Sequence, residues 1–158
     1  MRKLFEQQVS ALHRSSAVEQ SLSSLYGEIA LWIPSHATFW QRLSTDEAEH
    51  GRSLLLLSGL VEDEKLVLDV TAFNTDAVRS MEMLIGDIRG QILTSPGVSH
   101  RRAAVLALAL EGALVEQPVF TAIRCESAQF RQITAMLRDS TSAHIVALLD
   151  AAANGPGV

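Results

Sequence analysis

Glu47 and His50, within Asp46-Glu47-Ala48-Glu49-His50, lie three residues apart in a helix-favouring, partly apolar stretch. On a helix that spacing projects both side chains from one face. A carboxylate and an imidazole side by side offer the oxygen and nitrogen donors that suit iron, manganese or zinc. The bland alternative is an ordinary (i, i+3) pair on a helix surface. As a metal site the pair is only half complete, so what it can do depends on the elements that carry the remaining acidic and imidazole groups.

The chain has 158 residues, of which 47% are apolar and 5% aromatic, with four prolines. That length supports a sizeable core, and the Leu- and Ala-rich mix favours an all-α protein. A formal net charge of −5 argues against a general nucleic-acid binder. The single cysteine, Cys125, excludes an internal disulfide and a cysteine-based zinc or iron–sulfur site. It is expected to be inert, and a reducing compartment suits it. Met1-Arg2-Lys3-Leu4-Phe5 opens no apolar core of signal-peptide length, and the longest apolar run, Ala103 to Leu110, is too short to span a bilayer. The expectation is a soluble, cytoplasmic protein with neither nucleic acid nor membrane as partner.

Punctuation residues divide the chain into five helices. The first is expected from about Lys3 to Trp32, stopping near Pro34. The second follows, capped by Ser35 and closed by Gly59 after Ser58. Residues 60–73 read as a connector with acidic Glu62-Asp63-Glu64 and a β-branched patch from Val67 to Val70. The third helix starts near Asn74 or Thr75 and ends before Pro96. The fourth is expected from about Ser99 to Ile123, kinked at Pro118, and the fifth from about Ser127 to Ala152. This gives one domain over residues 1–153 and a flexible tail over 154–158, with Gly155-Pro156-Gly157-Val158 frayed. Gly86 and Gly90 offer a neighbour close approach to the third helix. Its apolar row, Val78, Met81, Ile85, Ile88 and Ile92, makes a homodimer an expectation.

Apolar residues recur at alternating steps of three and four. One row reads Phe5, Gln8, Leu12, Ser15, Glu19, Leu22, Tyr26, Ile29, Ile33. The second helix gives His36, Trp40, Leu43, Glu47, His50, Leu54, Leu57. The fourth gives Ala104, Leu108, Glu111, Val115, Pro118, and the fifth Phe130, Thr134, Leu137, Thr141, His144, Leu148, Ala151. Short turns join the first two helices and the last two as antiparallel hairpins, and the third helix lies in a long crossover.

Glu19, Glu47, His50, Glu111 and His144 therefore sit inside rows that should face a core. A buried carboxylate is costly unless it is paired or binds metal. Their depths match as well. Glu19 and His50 are 31 residues apart across one turn, and Glu111 and His144 are 33 apart across the other. At a rise of about 1.5 Å per residue, all fall within one or two turns of a common plane.

This pattern resembles the ferritin-like superfamily, most closely its rubrerythrin-like members, in which two helices each give a Glu and two give Glu-x-x-His. The resemblance implies a four-helix bundle with an extra helix in the long crossover. It implies Glu19 and Glu111 as the lone carboxylates, Glu47 and His50 as the first Glu-x-x-His, and His144 as the second histidine. Tyr26, on the Glu19 row, is similar to a rubrerythrin tyrosine, and its implied role is a hydrogen bond near the centre. The second motif departs from the pattern: Thr141 stands where a Glu belongs. Asp139 lies off that row, while Glu116, five residues from Glu111, is an alternative ligand. No Cys-x-x-Cys iron site is present.

Two functions stay open. One is an iron- or manganese-dependent oxidoreductase acting on oxygen or peroxide with an external reductant, its site, one carboxylate short, holding a single metal ion or an asymmetric pair with water completing the shell. The other is a degenerate bundle without metal or redox chemistry, serving as a structural or interaction module, and Thr141 favours it. An iron-storing cage is the weaker third reading. For His144 the alternative is a buried histidine bonded to a carboxylate, and Thr141 reads most simply as bonding its own helix backbone. Glu28 and Glu49 are expected outside the site. His13, His36 and His100 show no ligand pattern, and Trp32, Phe39 and Trp40 are expected to pack.

Overall fold

The computed structural model describes residues 2–62, 67–68, 75–113, 123–124 and 127–154. Five α-helices account for nearly all of them: α1 (Arg2–Trp32), α2 (Ala37–Glu62), α3 (Thr75–Thr94), α4 (His100–Gly112) and α5 (Ala128–Asn154). A two-residue ladder pairs β1 (Val67–Leu68) antiparallel with β2 (Ile123–Arg124). No helix among the described residues is long and apolar enough to cross a membrane.

Local chemistry explains most boundaries. Pro34 pushes the residue before it out of the helical region, and Ile33 sits at φ −123°, ψ 69°. A 3-10 turn over Pro34–His36 then leads into α2. Ser35 lies inside this turn, its hydroxyl 3.0 Å from His36 Nδ1, and so is not the helix cap that the sequence suggested. The Ser99 hydroxyl accepts from the Arg102 N–H at 3.1 Å and caps α4. Ser127 does the same for α5, accepting from the Phe130 N–H at 3.5 Å.

Three expectations need correction. Gly59 does not stop α2, which runs on to Glu62; packing of Leu60 and Val61 outweighs a cost of about 1 kcal/mol for one helical glycine. The fourth helix ends at Gly112, and Ile123 is strand instead of helix. Gly86 and Gly90 lie on the open face of α3, with no described atom near the place a Cβ would take. Glu116, Pro118, Cys125 and the 155–158 tail lie outside the described residues.

Among the described residues the apolar rows turn inward, with Phe5, His36 and Leu108 half-buried and the others buried. α1 pairs with α2, α4 with α5, and α2 meets α5; α3 packs on α1 and α4 of its own chain. Val78, Met81, Ile85, Ile88 and Ile92 bury the inner face of α3, and Arg89 Nε donates to Glu28 Oε2 at 3.0 Å across to α1. Small polar residues set the register of α1 against α2. The Ser23 and Ser44 hydroxyls each donate to the other's carbonyl oxygen at 2.7 Å. Two turns away the Ser16 hydroxyl donates to the Gly51 carbonyl at 2.8 Å. Each bond contributes about 1 kcal/mol. Their larger effect is to fix Glu19 at the level of Glu47 and His50.

Candidate metal centre

Glu19 on α1, Glu47 and His50 on α2, Glu111 on α4 and His144 on α5 are brought together in the core, none more than 4% exposed. They form two triads of donor atoms, Glu19–Glu47–His50 and Glu47–Glu111–His144, each with its atoms within 4.8 Å of one another. Glu47 belongs to both. Thr141, also buried, lies one turn before His144 and brings a neutral hydroxyl in place of a carboxylate.

Glu47 is the hub. Its Oε2 lies 3.0 Å from His50 Nδ1, and its Oε1 lies 2.8 Å from His144 Nδ1. The His50 and His144 rings lie 5.5 Å apart and nearly parallel. Glu111 Oε1 accepts the Tyr26 hydroxyl at 2.8 Å. Burial alone would raise the Glu47 carboxyl, but contacts with His144, His50 and Glu19 hold it well below the usual carboxylate range. Burial, with the charge of Glu47, pushes Glu111 up to about 7. Burial works against the His144 imidazolium, yet Glu111 and Glu47 prevail and hold it up to about 11. Tyr26 is raised well above 10.0 by burial and by Glu111. Protons thus balance the buried carboxylates when no cation does.

The donor set fits a divalent cation. Glu47 Oε1 and His144 Nδ1 are 2.8 Å apart yet not aligned as a hydrogen bond, and Glu111 Oε2 is buried with no hydrogen bond at all. Donors on adjacent positions of an ion with bonds of about 2.0–2.2 Å lie roughly 3 Å apart, the spacing of the Glu47–His144 pair. Two divalent ions bring about four positive charges, and Glu19, Glu47 and Glu111 offset three of them.

A fourth negative charge comes from a residue given no role in the sequence reading. Asp46 Oδ2 lies 3.1 Å from His144 Nε2. Nε2–H donating to Asp46 leaves Nδ1 as the donor atom, the usual support for a metal-bound imidazole. Only the docking of α5 beside α2 gives Asp46 this task, since in sequence it is merely the polar neighbour of Glu47. Asp46→Asn should weaken metal binding about 10- to 100-fold without changing stoichiometry, as read from competition with a chromogenic chelator.

Trp40 is buried and Phe39 packs against the core, but Trp32, expected to pack, is half-exposed at the C-terminal end of α1. Among the described residues, His13, His36 and His100 join no metal-capable cluster. His13 Nε2 meets the Ser58 hydroxyl at 3.3 Å, and His36 stacks on His100 at 3.9 Å. Glu28 and Glu49 pair with Arg89 and Arg52.

The proton balance fixes a pH dependence. The His144 contribution to stability is complete below its ordinary 6.5 and is lost as pH rises toward about 11. Ionising Glu111 opposes folding increasingly from 4.5 to about 7. Both have the same sign, so metal-free protein should melt at progressively lower temperature from about pH 5 to pH 9. Below that range the depressed Glu47 reverses the trend. Metal must displace these protons, so with saturating metal the midpoint should rise with pH up to about pH 7, where the unfolded chain has also lost them, and then level off while the metal-free protein goes on weakening. Thermal melts with and without metal test this; parallel curves would refute it.

No family model, characterised protein or solved structure matches this chain.

Proposed function

We propose that the chain binds a pair of divalent first-row metal ions, iron or manganese, and works as a rubrerythrin-like oxidoreductase on oxygen or peroxide with an external reductant. The observation that carries this reading is the pair of buried triads sharing Glu47. Each would hold one ion through two carboxylates and one imidazole, a set that suits iron and manganese and leaves positions for an oxidant. When bound, such ions supply one-electron steps and an open position for the oxidant. The chain contributes the rest. Glu47 ties the two positions together, Asp46 orients His144, and Tyr26 donates to Glu111 Oε1 at 2.8 Å. The apolar walls of α1, α2, α4 and α5 keep bulk water away. Anaerobic loading with ferrous iron should give two ions per chain, and the loaded protein should consume peroxide. A stoichiometry near zero would end the proposal.

Thr141 favours a second reading, a ferritin-like bundle whose centre is held by protons alone and which acts as a structural or interaction module. Unchanged melting on addition of ferrous, manganous and zinc ions would support it.

A further inference from the structure

A continuous chain of rings leads from the centre to one end of the helices. Tyr26 donates to Glu111 Oε1 at 2.8 Å. Its ring lies 5.8 Å from that of Trp40, and both side chains are fully buried. Trp40 Nε1 donates to His100 Nδ1 at 3.2 Å. His100 stacks on His36 at 3.9 Å. These two imidazoles, with Phe39 and Asp150, line a surface cavity of about 200 Å3.

Packing requires aromatic bulk at positions 26 and 40, but it does not require each ring to donate to a base. A buried tyrosine or tryptophan loses an electron readily only if its acidic proton has somewhere to go. Here the phenol faces a carboxylate oxygen and the indole N–H faces an imidazole nitrogen. The Trp40 bond makes His100 Nδ1 an acceptor, so His100 is neutral there, consistent with burial and the adjacent His36 lowering its pKa.

We propose that Tyr26 and Trp40 form an electron relay between the metal centre and the His36–His100 cavity, through which a small one-electron reductant of the ascorbate class reduces the centre. The relay rests on the two-metal reading for its purpose, but not for its test. In the working direction, Tyr26 gives one electron to the centre and its phenolic proton moves to Glu111 Oε1. Trp40 then gives one electron to the Tyr26 radical; the phenol recovers its proton from Glu111, and the indole proton passes to His100 Nδ1. A reductant in the cavity restores one electron to Trp40, His100 returns the proton, and the reductant is left oxidised by one electron.

The metal-free full chain is the test object, so failure to bind metal leaves the result interpretable. Tyr26 is the only tyrosine, and Trp32 and Trp40 the only tryptophans. A Trp32→Phe background removes the half-exposed indole and makes both radicals assignable. A laser-generated ruthenium(III) polypyridyl serves as the one-electron oxidant, so electrons run outward. The expected result is a tryptophanyl radical that decays as a tyrosyl radical rises, at a rate independent of protein concentration. Adding Trp40→Phe should slow that tyrosyl phase at least tenfold. His100→Phe, which keeps the ring and removes the base, should slow tryptophan oxidation and abolish its solvent isotope effect, a readout that packing alone would not move. The relay is overturned if no tryptophanyl radical forms, if it decays without a tyrosyl radical, or if Phe at position 40 leaves the tyrosyl phase unchanged.

Discussion

Glu47→Gln should empty both metal positions at once, whereas Glu19→Gln or Glu111→Gln should leave one filled. The asymmetry follows from membership. Glu47 belongs to both triads, while Glu19 and Glu111 belong to one each. Removing a private ligand leaves the other triad with two carboxylates and an imidazole; removing the shared one leaves each with a single carboxylate and a single imidazole. Ferrous ion per chain, measured after anaerobic gel filtration, should fall from two to below 0.2 in the Glu47 variant, on the order of a tenfold loss, and to about one in each of the others. A Glu47 variant that retains an ion would show that the two positions are independent. The same substitution should also weaken the metal-free protein. His144 loses the charge 2.8 Å from its Nδ1 but keeps Asp46 3.1 Å from its Nε2. Breaking a buried pair from one side costs about 3 to 5 kcal/mol, and the surviving Asp46 contact places this case near the lower end, about 3 kcal/mol, measurable by urea unfolding.

The second large effect is expected at Thr141. Thr141→Glu would set a carboxylate one turn before His144, on the buried row of α5. Without metal, another buried acid among Glu19, Glu47 and Glu111 should cost about 3 kcal/mol, through desolvation and repulsion. With metal, the added carboxylate becomes a fourth direct anionic donor beside Glu19, Glu47 and Glu111, closer to the ions than Asp46, which acts through His144, and should raise affinity at least tenfold, roughly 1.4 kcal/mol. The metal-induced rise in melting temperature should therefore grow although the metal-free protein is weaker. Thr141→Gln, equal in bulk and neutral, isolates the steric part; it should lose the metal-free stability that bulk alone costs and gain no affinity. Equal metal affinity in the Thr, Glu and Gln proteins would mean that position 141 does not reach the ions.

These two positions mark how far the sequence could be read. The buried row of α5 is legible residue by residue, and the centre line of those on α1 and α2 as well, because a helix repeats every 3.6 residues and a core-facing stripe must follow that period; the wider buried face of α1, with Ala11, Val18, Leu25 and Ala30, is not. Glu19, Glu47, His50, Glu111 and His144 stood out as polar breaks in those stripes. The fourth helix was less legible. Its stripe was read through Leu108, which is only half-buried, while Ala103, Ala107 and Leu110 also turn inward. Its end was read too late, because helix-favouring residues continue past Gly112 and propensity alone does not register the strand at Ile123–Arg124.

The sequence by itself determined an all-helical chain and the five acidic and imidazole groups facing its interior, since both depend on spacing along one helix. Only the tertiary structure decided that the five gather as two triads with Glu47 in common, that Asp46 stands behind His144, and that Tyr26, Trp40 and His100 line up toward the surface. Each of these depends on how far one helix is rotated and slid against another. That is set by the Ser16–Gly51 and Ser23–Ser44 bonds between α1 and α2 and by the docking of α4 and α5. A shift of one residue along a helix turns a side chain by about 100° and advances it by about 1.5 Å, enough to separate Glu47 from its partners while leaving every apolar stripe in the sequence unchanged.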